Sequence, residues 1–437
     1  MSTRLPLCAA LVLCALCTTS CSSAPPPERI VLIVIDTLRR DYVGAYGGSV
    51  ATPHIDRLAE RGQRFDLMSA AFHQTSMSMG SLFTGRTPSI ESRDAKQTLG
   101  WNGTTWCGLS RFATPGADEA CVPDALPTLA EDLRAAGYWT AGIASSEFLY
   151  RPSGFDAGFD EWVELGREGG NWEAARIAVP DPGTGAAEPR GVIRDYPLVP
   201  GTRVNAAVRD VLRDRPGDRF YLYVHYMDVH DYEFRRIPYA AAVARADAAV
   251  GELVADLEAA RLLEGTTIVL TSDHGERLRE EHPLMGGALH LGNPSFEEVL
   301  AVPLVVAPAA PVLSGRERRA VRTQDLRGWI GEIAGLPAGE TADTPPGELF
   351  VGEVHFRTFR KGRFKSAMRR SDGHFYLFDL ETDPGEARDV ADAHPDIVRA
   401  HLVRTSELAR GMRTTHETRE GLTGRERERL RLLGYIE

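Results

Sequence analysis

The chain has 437 residues, of which 43% are apolar and 25% are charged, which is the balance of an ordinary globular protein. Its formal net charge of −11 argues against nucleic acid or an anionic membrane surface as the main partner, but not against a small anion in a local pocket. The length is enough for one large core with a smaller annex.

The N-terminal residues are typical of an export signal. A short basic start, an apolar run over residues 5–16 and a stretch of small residues lead to Cys21. We predict a signal peptide over 1–20 and a Ser- and Pro-rich tether over 21–28. The pattern resembles a bacterial lipoprotein signal, in which Cys21 is lipidated after cleavage. We therefore expect export to the periplasm or cell envelope, with membrane contact only through such an anchor.

Two cysteines lie beyond the signal and the anchor position. Cys107 and Cys121 flank a loop that contains Gly and Pro. In an oxidising compartment they form a disulfide or remain two separate buried thiols, and we predict the disulfide.

Four apolar segments are typical of strands that are buried on both faces of a parallel sheet. They are residues 29–35, 219–224, 266–271 and 302–306. Helical patterns lie between them, from Leu126 to Ala136 and from Tyr239 to Leu263. This alternation predicts an α/β fold with a central sheet.

Polar residues capable of chemistry follow three of these segments. Asp36 follows the first, His225 the second, and Asp273 and His274 the third. Because ligands collect at the carboxyl ends of strands in open α/β sheets, these residues predict a functional site.

The pattern changes near Gly347. Short strand-like segments at 349–354, 364–368 and 374–380 precede charged helical sequence. We predict a catalytic domain over 29–346 and a smaller antiparallel-sheet subdomain over 347–437.

Thr75 begins a helical segment and offers a hydroxyl that either caps the helix or acts as a nucleophile. Asp36, Asp273 and His274 together suit Zn²⁺ or Mn²⁺ better than an all-oxygen Ca²⁺ or Mg²⁺ site. A metal beside Thr75 would lower the pKa of its hydroxyl. The helix start would offer N–H groups to an oxyanion. This combination predicts displacement at phosphorus or sulfur.

Motifs in the same order and spacing resemble the sulfatase branch of the alkaline phosphatase superfamily over most of the chain. The matching segments are 31–39, 52–59, 75–85, 154–156, 223–230, 272–276 and 430–435. The resemblance implies a central mixed, mostly parallel sheet flanked by helices. It also implies an enzyme that hydrolyses phosphoric or sulfuric esters.

The resemblance assigns roles by position. Thr75 stands where sulfatases place the cysteine that becomes formylglycine, next to the metal. Asp36, Asp273 and His274 stand at metal-ligand positions. The histidines implied around the substrate or leaving group, as catalytic residues, are His225, His230 and His290.

Several positions depart from the sulfatase pattern. Met77 and Met79 replace Pro and Arg, Thr37 replaces the second Asp, and residues 144–146 replace Lys-x-His. Without Cys or Ser at position 75, formylglycine cannot form. The remaining set looks more like the superfamily's phosphodiesterases and phosphoryl transferases, in which Thr attacks phosphorus.

We therefore predict a metal-dependent hydrolase of phosphate mono- or diesters or sulfate esters, with a small anionic ester or envelope glycan as substrate. The alternatives are a sulfuric ester hydrolase acting on sulfated glycans, a non-catalytic anion- or glycan-binding pseudo-enzyme, and a phosphoryl-alcohol transferase. One metal is predicted, and a second held by Asp228, His230 and His290 is the alternative.

Overall fold

A computed structural model describes residues 26–88, 100–101, 106–107, 122, 126–166, 174–178, 193–278, 295–309, 315–337, 344–353 and 356–411. Several predicted features lie outside these residues. They are the signal peptide, Cys21, Cys121, His290 and the motif at 430–435.

Sixteen strands and eight α-helices make up the regular structure of the described residues. The strands are β1 (Arg29–Ile35), β2 (Gln63–Ser69), β3 (Gly100–Trp101), β4 (Trp106–Cys107), β5 (Trp139–Ala144), β6 (Glu161–Glu164), β7 (Ala174–Ala178), β8 (Ile193–Pro197), β9 (Phe220–Tyr226), β10 (Thr266–Thr271), β11 (Leu304–Ala307), β12 (Gly315–Arg322), β13 (Glu348–Gly352), β14 (Phe356–Lys361), β15 (Phe364–Arg369) and β16 (Phe375–Asp379). The helices are α1 (Pro53–Arg61), α2 (Thr75–Thr84), α3 (Leu129–Ala135), α4 (Gly201–Asp214), α5 (Tyr239–Ala259), α6 (Glu297–Leu300), α7 (Leu326–Ile333) and α8 (Pro395–Gly411).

The main sheet has eight strands in the order β12-β2-β11-β10-β1-β9-β5-β6. All neighbours are parallel except β11, which runs antiparallel to both β10 and β2. The predicted mixed, mostly parallel central sheet is therefore confirmed.

Helices cover both faces of this sheet because the side chains of the central strands alternate between two apolar cores. Ile30, Leu32 and Val34 pack in the core that includes α2, α3 and α7. Val31, Ile33 and Ile35 pack in the core that includes α1, α4 and α5. All seven residues of β1 are buried, which explains the apolar run that follows Arg29.

A separate four-stranded sheet, β13-β14-β15-β16, is antiparallel throughout. This confirms the predicted smaller antiparallel sheet near the C-terminus. Leu349 and Val351 of β13 belong to the same apolar core as α2, so the two sheets share packing. No helix of the described residues is both long and apolar enough to cross a bilayer.

The element boundaries differ from the predicted ones in a few places. The helix predicted from Leu126 begins at Leu129, because Thr128 caps it through a reciprocal pair of hydrogen bonds with Glu131. The helix predicted to Leu263 ends at Ala259, shortly before Arg261 takes a φ of +59°. The strand predicted from 302 begins at Leu304, after a proline that has no N–H to pair.

Candidate active site

The site lies where three neighbouring parallel strands end. β9 and β10 pair with opposite edges of β1, and Val34 is in register with both His225 and Thr271. Asp36 directly follows β1, and Asp273 comes two residues after β10. His225 was predicted to follow its strand, but the ladder continues through it to Tyr226. These side chains therefore meet at one edge of the sheet.

Asp36, His225 and Asp273 form a fully buried cluster that has the geometry of a metal site. One ligand atom of each lies within 4.8 Å of the others. His225 Nε2 is 3.6 Å from Asp36 Oδ2, and neither side chain is exposed.

Several polar atoms of this cluster have no hydrogen-bond partner among the described residues. They are Asp36 Oδ1, Asp273 Oδ2 and both ring nitrogens of His225. Unpaired buried carboxylate oxygens carry a large desolvation cost, which a bound cation removes. The donor set therefore fits a divalent metal ion.

His274 faces the same cluster with its Nε2 atom. Its Nδ1 lies 2.8 Å from the Gly275 carbonyl oxygen, and since a carbonyl only accepts, Nδ1 carries the hydrogen. Nε2 is 3.5 Å from Asp273 Oδ2 and 3.9 Å from Asp36 Oδ1. A backbone carbonyl that fixes the tautomer in this way is typical of metal-binding histidines.

The two carboxylates titrate differently. Burial raises the pKa of Asp36 well above its usual value, and the nearby Asp273 charge raises it further. Burial also acts to raise the pKa of Asp273, but His274, His225 and two backbone N–H groups outweigh it and lower that pKa. Two ionised carboxylates this close together repel each other, and a bound metal ion would offset that repulsion.

Thr75 is the first residue of α2, and its hydroxyl faces this cluster. Thr75 Oγ1 lies 3.3 Å from Asp36 Oδ2 and 3.3 Å from His274 Nε2. The N-cap position belongs to Gln74, and no side chain caps the helix there. The alternative that Thr75 is simply a helix cap is therefore wrong.

The two methionines that replace Pro and Arg of the sulfatase pattern lie in the core. Met77 and Met79 are 1% and 0% exposed and pack in the cluster of α2, α3 and α7. Ser78, on the same helix, donates to the Asp273 backbone carbonyl at 2.5 Å. The helix is thus tied to the ligand turn by a hydroxyl, and its Met77 and Met79 positions supply apolar packing.

His230 lies on the short 3-10 turn after β9. Its Nδ1 is 3.3 Å from Asp231 Oδ1, and the Asp231 side chain is fully buried. Burial acts to lower the pKa of His230, but the hydrogen bond to Asp231 and the charge of Asp36 raise it to about 9. Burial lowers the pKa of His225 to about 4. At neutral pH, therefore, His230 is charged and His225 is neutral.

The alternative second metal site gains no support from Asp228. Its carboxylate accepts the Gly201 N–H at the start of α4, and although its buried Oδ2 has no hydrogen-bond partner among the described residues, it does not belong to the cluster around Asp36. His290 lies outside the described residues.

Other residues of the site were not predicted from the sequence. Asp231, beside His230, was missed although a carboxylate next to a candidate histidine is a usable signal. Ser145, in the segment that departs from Lys-x-His, donates to the His225 carbonyl at 2.5 Å. Thr37, at the position of the second Asp, donates its N–H to Asp273 Oδ1 at 3.1 Å.

The chain also matches a known protein family. Residues 28–324 match the family model described as Sulfatase. Arylsulfatase A of Bos taurus is 27% identical over 467 residues, which cover 88% of this chain and 88% of that protein.

Solved structures share the fold. The crystal structure of Ps i-CgsB in complex with k-i-k-neocarrahexaose has a TM-score of 0.64 at 21% identity and covers 94% of this chain and 98% of its own. The phosphonate monoester hydrolase of Agrobacterium radiobacter has a TM-score of 0.61 at 17% identity, covering 88% and 96%. At these identities the likeness concerns the fold.

Proposed function

Because the chain belongs to the sulfatase family, as its motifs predicted, we propose that it is a metal-dependent ester hydrolase in which Thr75 is the nucleophile. The predicted enzyme class, a sulfatase-like hydrolase of ester bonds, is that of the family. The proposal goes further in naming phosphate mono- or diesters as the substrates that suit this site best.

The observation that carries the proposal is the position of the Thr75 hydroxyl. It is buried and lies 3.3 Å from both Asp36 Oδ2 and His274 Nε2, at the start of a helix. The hydroxyl donates to Asp36 Oδ2, so its proton leaves in that direction as Oγ1 attacks phosphorus. The bond from phosphorus to the leaving oxygen breaks, and water later releases the phosphoryl group from Thr75.

Asp36, Asp273, His225 and His274 are the residues that would hold the divalent metal. An ion held there would supply stabilisation of the developing oxyanion and would lower the pKa of the Thr75 hydroxyl. Two imidazoles beside two carboxylates favour Zn²⁺ or Mn²⁺ over Ca²⁺ or Mg²⁺. This moves His225 from the predicted leaving-group role to a ligand role, which its low pKa of about 4 supports.

His230 is our candidate for the general acid, because its charge interacts with that of Asp36. Its pKa of about 9 keeps it protonated at neutral pH, and Asp231 orients the ring through Nδ1. A protonated imidazole in this position would supply the proton that a leaving alkoxide needs.

The choice of phosphate over sulfate rests on the nucleophile. Thr75 cannot become formylglycine, whose aldehyde hydrate releases sulfate in the family. An alkoxide nucleophile followed by hydrolysis is instead the chemistry of phosphoryl transfer. Met79, which is buried in the core, puts no cation at the position where the sulfatase pattern has Arg.

Parallel assays with nitrophenyl phosphate, bis-nitrophenyl phosphate and nitrophenyl sulfate in the presence of Mn²⁺ test the proposal. We expect phosphoester turnover to dominate and Thr75→Val to lower it by about a thousandfold or more, because the variant keeps the shape and loses the nucleophile. Thr84→Val is the matched control: its hydroxyl donates to Gly80 within the same helix, so activity should change little.

Two outcomes would contradict the proposal. Dominant turnover of the sulfate ester would favour the second candidate, a sulfuric ester hydrolase acting on sulfated glycans. That candidate is supported by the family and by the glycan complex of the Ps i-CgsB structure. Protein that binds no metal and shows no turnover dependent on Thr75 would favour a glycan-binding pseudo-enzyme.

Export, lipidation at Cys21 and a periplasmic or envelope location remain part of the proposal. They rest on the N-terminal sequence pattern, and an anionic ester or glycan of the envelope is the substrate they suggest.

A further inference from the structure

The turn that carries Asp36 has an uncommon backbone conformation. Thr37 has a φ of +59°, in the left-handed region that β-branched residues rarely adopt. Such a conformation persists only where the surrounding structure holds it in place. Thr37 directly follows Asp36, so the contacts that hold this turn also set the position of the Asp36 carboxylate.

Three hydrogen bonds use every polar group of Thr37. Its N–H donates to Asp273 Oδ1 at 3.1 Å, and its Oγ1 donates to the Asp36 carbonyl at 2.8 Å. Its own carbonyl accepts the hydroxyl of Tyr239 at 2.6 Å. The same hydroxyl accepts the N–H of Arg39 at 2.9 Å. The Tyr239 hydroxyl therefore bonds the backbone on both sides of Leu38 and holds the turn together.

Tyr239 is itself held rigidly at the first residue of α5. Its ring meets Tyr42 edge-on at 4.8 Å between centroids and Tyr232 edge-on at 5.4 Å, and only 5% of the residue is exposed. Loss of the hydroxyl would leave the Thr37 carbonyl and the Arg39 N–H buried without this partner. The turn would then relax toward negative φ, which moves the Thr37 N–H away from Asp273.

We propose that Tyr239 is a positioning residue for the metal ligands, holding the Thr37 turn so that Asp36 and Asp273 face one ion. This rests on the proposed function, since it concerns the same metal centre. Tyr239 touches neither the substrate nor the reacting atoms. Its effect reaches the centre through the Thr37 backbone.

The experiment measures the Kd of Mn²⁺ alone for the mature protein, by electron paramagnetic resonance of free Mn²⁺, in wild type and Tyr239→Phe. We expect Tyr239→Phe to weaken binding by about tenfold or more, the usual cost of losing a supporting contact behind a metal ligand. Thermal melting of the metal-free proteins checks that Tyr239→Phe and the control variant Tyr46→Phe remain folded.

Tyr46→Phe is the matched control. The Tyr46 hydroxyl also bridges a carbonyl and an N–H, those of Leu304, at 2.7 and 2.9 Å, but it holds β11 and not the Thr37 turn. We expect this variant to lose similar thermal stability and to bind Mn²⁺ within about twofold of wild type.

Thr37→Gly gives a second, independent test. Glycine adopts positive φ without strain, so in this background the turn no longer depends on Tyr239. There, Tyr239→Phe should weaken Mn²⁺ binding by less than about threefold.

A full tenfold effect of Tyr239→Phe in both backgrounds would overturn the proposal. An equal loss of Mn²⁺ binding in Tyr46→Phe, or no loss in Tyr239→Phe, would also overturn it. Wild-type protein that binds no Mn²⁺ would overturn this proposal and the metal centre together, whereas a binding but inactive wild type would count against Thr75 chemistry alone.

Discussion

Thr75 is a poor nucleophile in water, and the proposed function requires its surroundings in the folded chain to change that. Its hydroxyl is buried at a helix start, between a carboxylate and an imidazole that each lie 3.3 Å away. Burial acts to lower the pKa of His230, but the hydrogen bond to Asp231 and the charge of Asp36 raise it to about 9, so His230 is protonated at neutral pH. One residue is thus placed to lose a proton and the other to give one.

His230→Gln tests the second half of this division. We expect turnover of an alkyl phosphate ester, whose leaving group needs a proton, to fall by about a hundredfold or more. Turnover of a nitrophenyl ester, whose leaving group needs none, should change far less. Steady-state kinetics with the two substrates on the same preparations measures the difference.

The pH dependence of turnover tests the same proton-donating role of His230. Because the pKa of His230 is raised to about 9, wild-type turnover of the alkyl ester should decline as the pH rises through 9. The variant should lack that decline. An equal loss for both leaving groups in His230→Gln would remove His230 from the acid role.

At the scale of elements, the strands of the site were predictable for a physical reason. β1, β9 and β10 are buried along their whole length, so apolar residues dominate their sequences. β12 was missed because it is an exposed, arginine-rich edge strand that shows no such run. The contact of Tyr239 with Thr37 joins residues 202 positions apart, and no local pattern reports it.

A buried charge cluster joins α6 to the C-terminal sheet. Lys365, on β15, is fully buried with Nζ 2.9 Å from Glu386 Oε1 and 3.3 Å from Glu297 Oε1. Arg360 also pairs with Glu297, at 3.0 Å. Burial raises the pKa of Glu386 to about 7. The contribution of Glu386 to the free energy of unfolding is therefore fully present below pH about 4.5 and is lost as the pH rises through 7.

Lys365→Met should lower the free energy of unfolding by about 3–5 kcal/mol at pH 8, because it leaves buried carboxylates without their cation. The loss should be smaller at pH 5.5, where Glu386 is protonated. Urea denaturation at both pH values measures this. Lys361→Met is the control: the Lys361 side chain is 65% exposed and its partner Glu348 keeps Arg404 at 2.8 Å, so the loss should be no more than about 1 kcal/mol. Equal losses for Lys365→Met at the two pH values would contradict this account of the cluster.

At the scale of the whole molecule, the fold and the proposed chemistry differ in how far sequence patterns predict them. The sheet order, both apolar cores and the strand-end ligands follow from patterning and from motif order. The predicted role of Thr75 came from the position of one residue type in a motif. Periodicity carries no information about which hydroxyl faces a carboxylate, so the contacts of Thr75 with Asp36 and His274 could not be predicted from it.

The central claim is that Thr75 becomes covalently phosphorylated during turnover. Its most direct test is acid quenching of the Mn²⁺-loaded wild-type protein during steady-state turnover of bis-nitrophenyl phosphate, followed by proteolysis and mass spectrometry. We predict a nitrophenyl-phosphoryl group on the peptide that contains Thr75, localised to that residue and lost in Thr75→Val. An unmodified Thr75 under active turnover, or modification of a different residue, would contradict the account.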